Sequence, residues 1–386
     1  MSDVETKRTK YSETEEEALR FGFGANWADY LEKHYSEERL GIAQRHLLGF
    51  LKLDDLKGKS CLDIGCGSGL HSLSAWRAGA RPLFSFDYDP KSVTTTRLLR
   101  QLAGDPAEWQ VVQGSVLDDA FMNTVPKADI VYGWGVLHHT GQMWKAVQNA
   151  GSRLHDNSLF YIALYATDAF TDPTPEYWLG VKREYNRAPY VKKRWMDWKY
   201  AWNHSIRGNL KARKNPLTCI RAHKKSRGMS YWHDIRDWLG GYPMEFAGNK
   251  ETEIFCRDRL DLSLINIKAG EANTEFLFCR RGLESQWSGL QAAEPLVALP
   301  GPFAPVGGFA WRATVAGGAS ALGEAGRLML YENGSPVGWP KAGIDFIQAW
   351  GRGRYTVDGD SVVFSATDNT DPNVTAARYH YRRNFI

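Results

Sequence analysis

Three glycines within five residues, in the run Leu62-Asp63-Ile64-Gly65-Cys66-Gly67-Ser68-Gly69, limit what this chain can fold into more than any other feature. The short apolar run Cys61–Ile64 precedes them and the helical pattern Leu70–Ala78 follows. Glycines where a strand passes into a helix permit positive φ and let the backbone approach a ligand more closely than any Cβ allows. The same alternation continues to Leu164. Apolar runs at Leu83–Phe86, Gln110–Val112, Ile130–Tyr132 and Leu159–Leu164 are separated by helical stretches at Ser92–Leu102 and Met143–Leu154. Strands alternating with helices over short connections specify an α/β fold with a doubly wound parallel sheet. Sheets of this kind hold ligands outside the carboxyl ends of their strands, so the loops there are where chemistry is expected.

A chain of 386 residues is long enough for more than one such unit. Residues 1–56 read as an N-terminal helical cap, with apolar residues at helical spacing from Trp27 to Leu53, and residues 57–167 as the ligand-binding core. Residues 168–248 read as a helical lid insertion, and within 181–227 fifteen Lys and Arg stand against only Glu184 and Asp197, interleaved with Tyr and Trp. The helix around Tyr231–Leu239 returns the chain to the sheet, which residues 249–283 complete through strand candidates Leu260–Ile267 and Glu275–Cys279. A stretch rich in Pro, Gly and Ala then opens residues 284–386, where short runs at Phe309–Val315, Arg327–Tyr331, Arg354–Val357 and Ser361–Ser365 with tight turns predict a small all-β domain. Its exposed aromatics suit either carbohydrate binding or a dimer contact. Its Asp368–Asn373 string has calcium-like composition without the Gly and distal Glu of a calcium loop, so no metal is expected.

Four loops carry the candidate site. The glycine turn contributes Asp63, Gly65, Cys66 and Gly67. The second strand ends in Asp87-Tyr88-Asp89-Pro90, where a carboxylate can accept two hydroxyl hydrogens at once, with Asp87 preferred over Asp89. The third strand leads to Gly114-Ser115-Val116, and the fourth to Trp134-Gly135-Val136-Leu137-His138-His139-Thr140-Gly141. Imidazole titrates near working pH, which makes His138 and His139 candidate general bases; packing beside the ligand is the other role open to them. Trp27, Tyr30 and Tyr185 offer apolar walls with polar tips for a second ligand.

These motifs, in this order, resemble those of class I methyltransferases that use S-adenosylmethionine (SAM), and most of all the small-molecule enzymes of the ubiquinone-biosynthesis type, with Gly135-Val136-Leu137-His138-His139-Thr140 after the fourth strand. The likeness covers residues 25–282 and implies a seven-stranded Rossmann-like methyltransferase sheet. It implies Asp63, Gly65, Cys66 and Gly67 around the methionine portion, Asp87 on the ribose, and Tyr88, Ser115, Val116 and Trp134 along the remaining cofactor. Many relatives carry Asp where Ser115 stands. The expected reaction is methyl transfer from SAM to a small-molecule or glycan-related acceptor, at oxygen, leaving S-adenosylhomocysteine (SAH). A thiol acceptor, an RNA acceptor held by the basic aromatic stretch, and a non-catalytic SAM- or glycan-binding protein are the alternatives.

The rest of the composition narrows the setting. The five cysteines, Cys61, Cys66, Cys219, Cys256 and Cys279, show neither zinc-ligand spacing nor an even count for a disulfide framework. Met1 to Glu17 is too polar for a signal peptide, and no apolar run reaches the roughly 18 residues a membrane span needs. A reduced, cytoplasmic enzyme is expected. The net charge of +4 points to no particular partner.

Overall fold

The computed structural model describes residues 19–20, 22, 24, 36–167, 170, 173–207, 215, 231–269, 272–287, 296–315, 328–338 and 342–383. Helix α1 (Glu37–Leu51) starts at Ser36, whose hydroxyl accepts the Arg39 N–H at 3.3 Å and satisfies one of the unpaired donors of the first turn. Strands and helices then alternate: β1 (Cys61–Ile64), α2 (Leu70–Arg77), β2 (Leu83–Asp87), α3 (Pro90–Leu102), β3 (Trp109–Gln113), α4 (Asp119–Thr124), β4 (Ala128–Trp134), a single 3-10 turn at Leu137–His139, α5 (Met143–Gly151) and β5 (Leu154–Tyr165). Helices α6 (Pro175–Arg187), α7 (Tyr190–Ala201) and α8 (Tyr231–Gly240) pack around one shared cluster in the stretch expected to be a lid. Helix α9 (Asn249–Leu260) leads into the hairpin β6 (Leu262–Ala269) and β7 (Asn273–Arg280).

These strands make a seven-stranded sheet in the order β3-β2-β1-β4-β5-β7-β6. The first five are parallel, and β7 pairs antiparallel with both β5 and β6. This is the doubly wound, Rossmann-like seven-stranded sheet that the motifs predict. Alternation along each strand sorts side chains to two faces. One face carries Cys61, Ile130, Tyr132, Leu159, Tyr161 and Leu277 against α1, α2 and α3. The other carries Leu62, Ile64, Val131, Phe160 and Ile162 against α5 and α9.

Two expectations shift. The helix expected over Met143–Leu154 stops at Gly151, and Leu154 already belongs to β5, paired with Ala128. The helix α9 was not foreseen, because the side chains it buries are Asn249, Thr252 and Cys256, a polar set without apolar periodicity.

Beyond residue 287, strands β8 (Val297–Ala298), β9 (Ala304–Gly307), β10 (Ala310–Thr314), β11 (Leu328–Glu332), β12 (Ser335–Pro336), β13 (Tyr355–Asp358), β14 (Ser361–Phe364) and β15 (Tyr379–Arg383), with helix α10 (Ile344–Trp350), build a separate β unit. Its two four-stranded sheets run β13-β14-β10-β9 and β12-β11-β15-β8. Leu328, Leu330, Tyr355, Val362, Phe364 and Tyr381 fill the space between them, so the unit is a sandwich with its own core.

Candidate functional site

The carboxyl ends of β1, β2 and β4 meet at the glycine turn. Gly65, Gly67 and Gly69 all have positive φ, at 70°, 53° and 76°. Each is required for a different reason. A Cβ on Gly65 would lie 2.4 Å from the Val136 side chain, and one on Gly69 would lie 2.8 Å from Thr96, so two of the three glycines admit the protein itself. Gly67 uses its N–H on the Asp87 carboxylate at 2.9 Å, which ties the turn to the tip of β2.

Asp87 accepts the Gly67 N–H on one oxygen and the Asp89 N–H, at 2.8 Å, on the other. The Tyr88 N–H is a third backbone donor to this carboxylate. Burial raises this carboxyl to about 6 against those hydrogen bonds. Asp89 is engaged otherwise: it caps α3 through the Lys91 N–H and accepts the Gly24 N–H at 2.8 Å. The remaining candidates of the loop lie beneath it. The Asp63 carboxylate is buried, bonded to the Ser72 hydroxyl at 2.5 Å, and burial brings it up to about 7. Cys66 turns its thiol inward to Thr96 and gives its N–H to the Phe86 carbonyl, so neither group faces the open side of the turn.

Tyr88 is exposed, with the Arg20 guanidinium 5.2 Å from its ring centre. Arg20 also donates to the carbonyls of His139 and Thr140, at 3.2 and 3.1 Å. Arg20 therefore bridges the loop after β4 to Tyr88 at the tip of β2, and Gly24 reaches the same tip through Asp89. The Ser115 hydroxyl accepts the Leu117 N–H at 3.2 Å, and Val116 is buried. Gly135, with φ of 73°, has open space where a Cβ would stand.

Of the two histidines in the loop after β4, His138 is buried and His139 half-buried. His138 is 1 % exposed, its ring centre 4.1 Å from that of Tyr165 at a tilt of 46°, and burial lowers its pKa well below the usual histidine value. His139 donates Nδ1–H to the Pro243 carbonyl at 2.7 Å, and burial, with the charges of Lys182 and Arg20, lowers it to about 3. A group that titrates so low is a poor proton acceptor near neutrality. Their geometry ties the β4 loop to the lid. Tyr185 is likewise turned inward, its hydroxyl donating to Asp197 at 2.9 Å in the lid core. Trp27 and Tyr30 lie outside the described residues.

On the α1/α2 face, directly below Trp134, sits a cluster that motif reading missed. Register places Trp134 opposite Ala163, Ala163 opposite Glu275, and Glu275 opposite Lys268. Glu275 accepts from the Trp134 indole at 3.1 Å and from the Tyr161 hydroxyl, and pairs with His46 Nε2 at 3.2 Å and Lys268 at 3.6 Å. Burial would raise the Glu275 carboxyl; the His46 and Tyr161 hydrogen bonds and the Lys268 charge outweigh it and hold it at about 2. His71, in the first turn of α2, stacks on Trp134 at 6.3 Å, and burial lowers it to about 4. Among the described residues nothing bonds the other ring nitrogen of His46.

Residues 34–214 match the family model for a methyltransferase domain. Over 90 residues, 22% of this chain and 27% of the relative, it is 34% identical to a tRNA U34 carboxymethyltransferase of Idiomarina loihiensis. Over 88 residues it is 33% identical to a ribosomal protein L11 methyltransferase of a Psychrobacter species, 22% of this chain and 29% of that one. The chain thus spans under a third of the length of these relatives. A solved magnesium protoporphyrin IX methyltransferase from Synechocystis PCC 6803, with bound SAH, is similar at TM-score 0.41 and 12% identity, over 69% of this chain and 98% of that one.

Proposed function

We propose that this chain is a class I methyltransferase that binds SAM at the glycine turn and methylates an oxygen of a small-molecule or glycan-related acceptor. The observation that carries the reading is the Asp87 carboxylate, fixed by backbone donors at the tip of β2 beside a turn of positive-φ glycines. That arrangement fits a ribose diol. The open space at Gly135 fits the methionine portion, which Gly65 and Gly67 would flank. Tyr88, Ser115 and Val116 would border the adenine, and Trp134 the sulfonium end. Bound there, SAM would supply an electrophilic methyl carbon.

The acceptor would then lie at the carboxyl edge of the sheet, beside Trp134 and His46. His46 would serve as the base in place of His138 and His139, because Glu275 holds its Nε2–H and leaves Nδ1 as the accepting nitrogen. His46 Nδ1 would take the acceptor hydroxyl proton as the oxygen bonds to the methyl carbon and the carbon–sulfur bond breaks, its electron pair leaving on the sulfur of SAH. Calorimetry with SAM and SAH tests the cofactor half. The intact protein should bind both, and Asp87→Ala should weaken binding by roughly 10–100-fold, the loss of a charge-assisted hydrogen bond or two. Absence of heat from either ligand ends the proposal. Label transfer from SAM into small molecules of a cell extract tests the acceptor half. His46→Gln should lose most of that label while still binding SAM, whereas His139→Gln should keep it.

A further inference from the structure

Independently of methyl transfer, we propose that the outer face of α7 docks this protein on an anionic lipid bilayer. The rotation of the helix about its axis is set from inside. Asp197 is buried and holds the Tyr185 hydroxyl and, at 2.6 Å, the Arg194 guanidinium, while Met196 and Ala201 join the lid core. Residues on the opposite face must then point outward. Val191, Trp195, Trp198 and Trp202 follow one another at spacings of four, three and four, which puts them on a single stripe. They are 78%, 57%, 59% and 50% exposed. Tyr190, at the start of the helix, is 74% exposed and extends the patch. Single exposed apolar side chains are ordinary, but three tryptophans and a valine in one line are a surface with a use.

Charge identifies the occupant. Lys192, paired with Glu184 at 2.8 Å, and Lys199 are exposed along one flank of the stripe, with the Lys199 ammonium 5.0 Å from the Trp195 ring centre. The stretch 181–227 holds fifteen Lys and Arg against two carboxylates. An apolar ridge with a cationic rim on a short straight helix is what an interfacial helix presents to a bilayer. Indole rings belong at the headgroup level, and the lysines reach acidic headgroups beside them. A single-stranded RNA would use the indoles for stacking but has no use for Val191, which is the most exposed of the four. Among the described residues no helix is long and apolar enough to cross a membrane, so the contact is peripheral.

Co-sedimentation of the full chain with phosphatidylcholine vesicles, with and without about one third phosphatidylglycerol, tests this, alongside retention on a single-stranded uridine 20-mer. Binding to the anionic vesicles should exceed that to the neutral ones about tenfold or more and fall as sodium chloride rises. The variant Trp195→Ser, Trp198→Ser, Trp202→Ser should lose it while still binding SAM. Should that variant fail to fold, Lys192→Glu with Lys199→Glu, both on exposed side chains, should cut anionic-vesicle binding several-fold. Equal binding to both vesicles, no binding to either, undiminished binding by both variants, or retention by RNA without vesicle binding each overturns the proposal.

Discussion

At the scale of single residues, the glycine turn was legible because three glycines in five positions leave few backbone conformations open. What each glycine faces was not. Gly65 was expected against a ligand, yet the neighbour that excludes a Cβ there is Val136, from the loop after β4. Gly65→Ala therefore carries two costs, a left-handed φ of 70° for a residue with a Cβ and a 2.4 Å contact. Together they should destabilise the fold by about 2–4 kcal/mol. Combining it with Val136→Ala removes the contact but not the φ, so urea unfolding of the pair should show the double variant recovering part of the loss. No recovery would mean that Val136 is not what confines Gly65. The His46–Glu275 pair was illegible for another reason. Its members lie 229 positions apart, each is an ordinary residue in its own segment, and only the antiparallel insertion of β7 beside β5 brings them together.

At the scale of elements, the strand–helix alternation from β1 to β5 was readable because each strand is an apolar run bounded by glycine, proline or a capping aspartate. The lid was readable as helical and basic, but its interior was not. Lys182 of α6 is fully buried, its ammonium donating to the Trp238 carbonyl of α8 and lying 4.5 Å from the Trp238 ring centre. Burial lowers its pKa to about 7, against the pull of Asp237. The sign of the linkage follows. Between about 7 and about 10.4 the unfolded chain carries a proton that the folded lid does not, so this group makes stability rise with pH across that window. Below about 7 both forms are charged and the burial cost is felt in full. Lys182→Met should flatten the rise, and denaturant midpoints for the two proteins, measured from pH 7 to pH 10, should converge as pH increases. Parallel profiles would contradict a lysine that deprotonates inside the lid.

At the scale of the whole molecule, the question is whether the β sandwich is a passenger, and β11 argues that it is not. A strand with one face in a core and one in water alternates buried and exposed residues, but every residue of β11 is buried. Leu328 and Leu330 point into the sandwich core, whereas Met329 and Tyr331 join the cluster of α5, α9 and the large sheet. The contact continues at Asn249, the first residue of α9, whose side-chain amide donates to the Gly338 carbonyl at 3.4 Å. The buried polar face of α9, which hid that helix from sequence reading, is therefore in part an interface. From sequence alone Arg327–Tyr331 reads as one more short strand, since burial on both faces leaves no alternation to say what lies on the second side. Two cores sharing one strand should unfold together, so calorimetry of the full chain should show a single transition. Tyr331→Ala, which empties a buried site on the far face of β11 and frees Arg382 from its hydroxyl, should cost about 3–5 kcal/mol and lower that transition as a whole. Two separate transitions, with only the smaller one moved by the substitution, would mean that the sandwich folds and melts by itself.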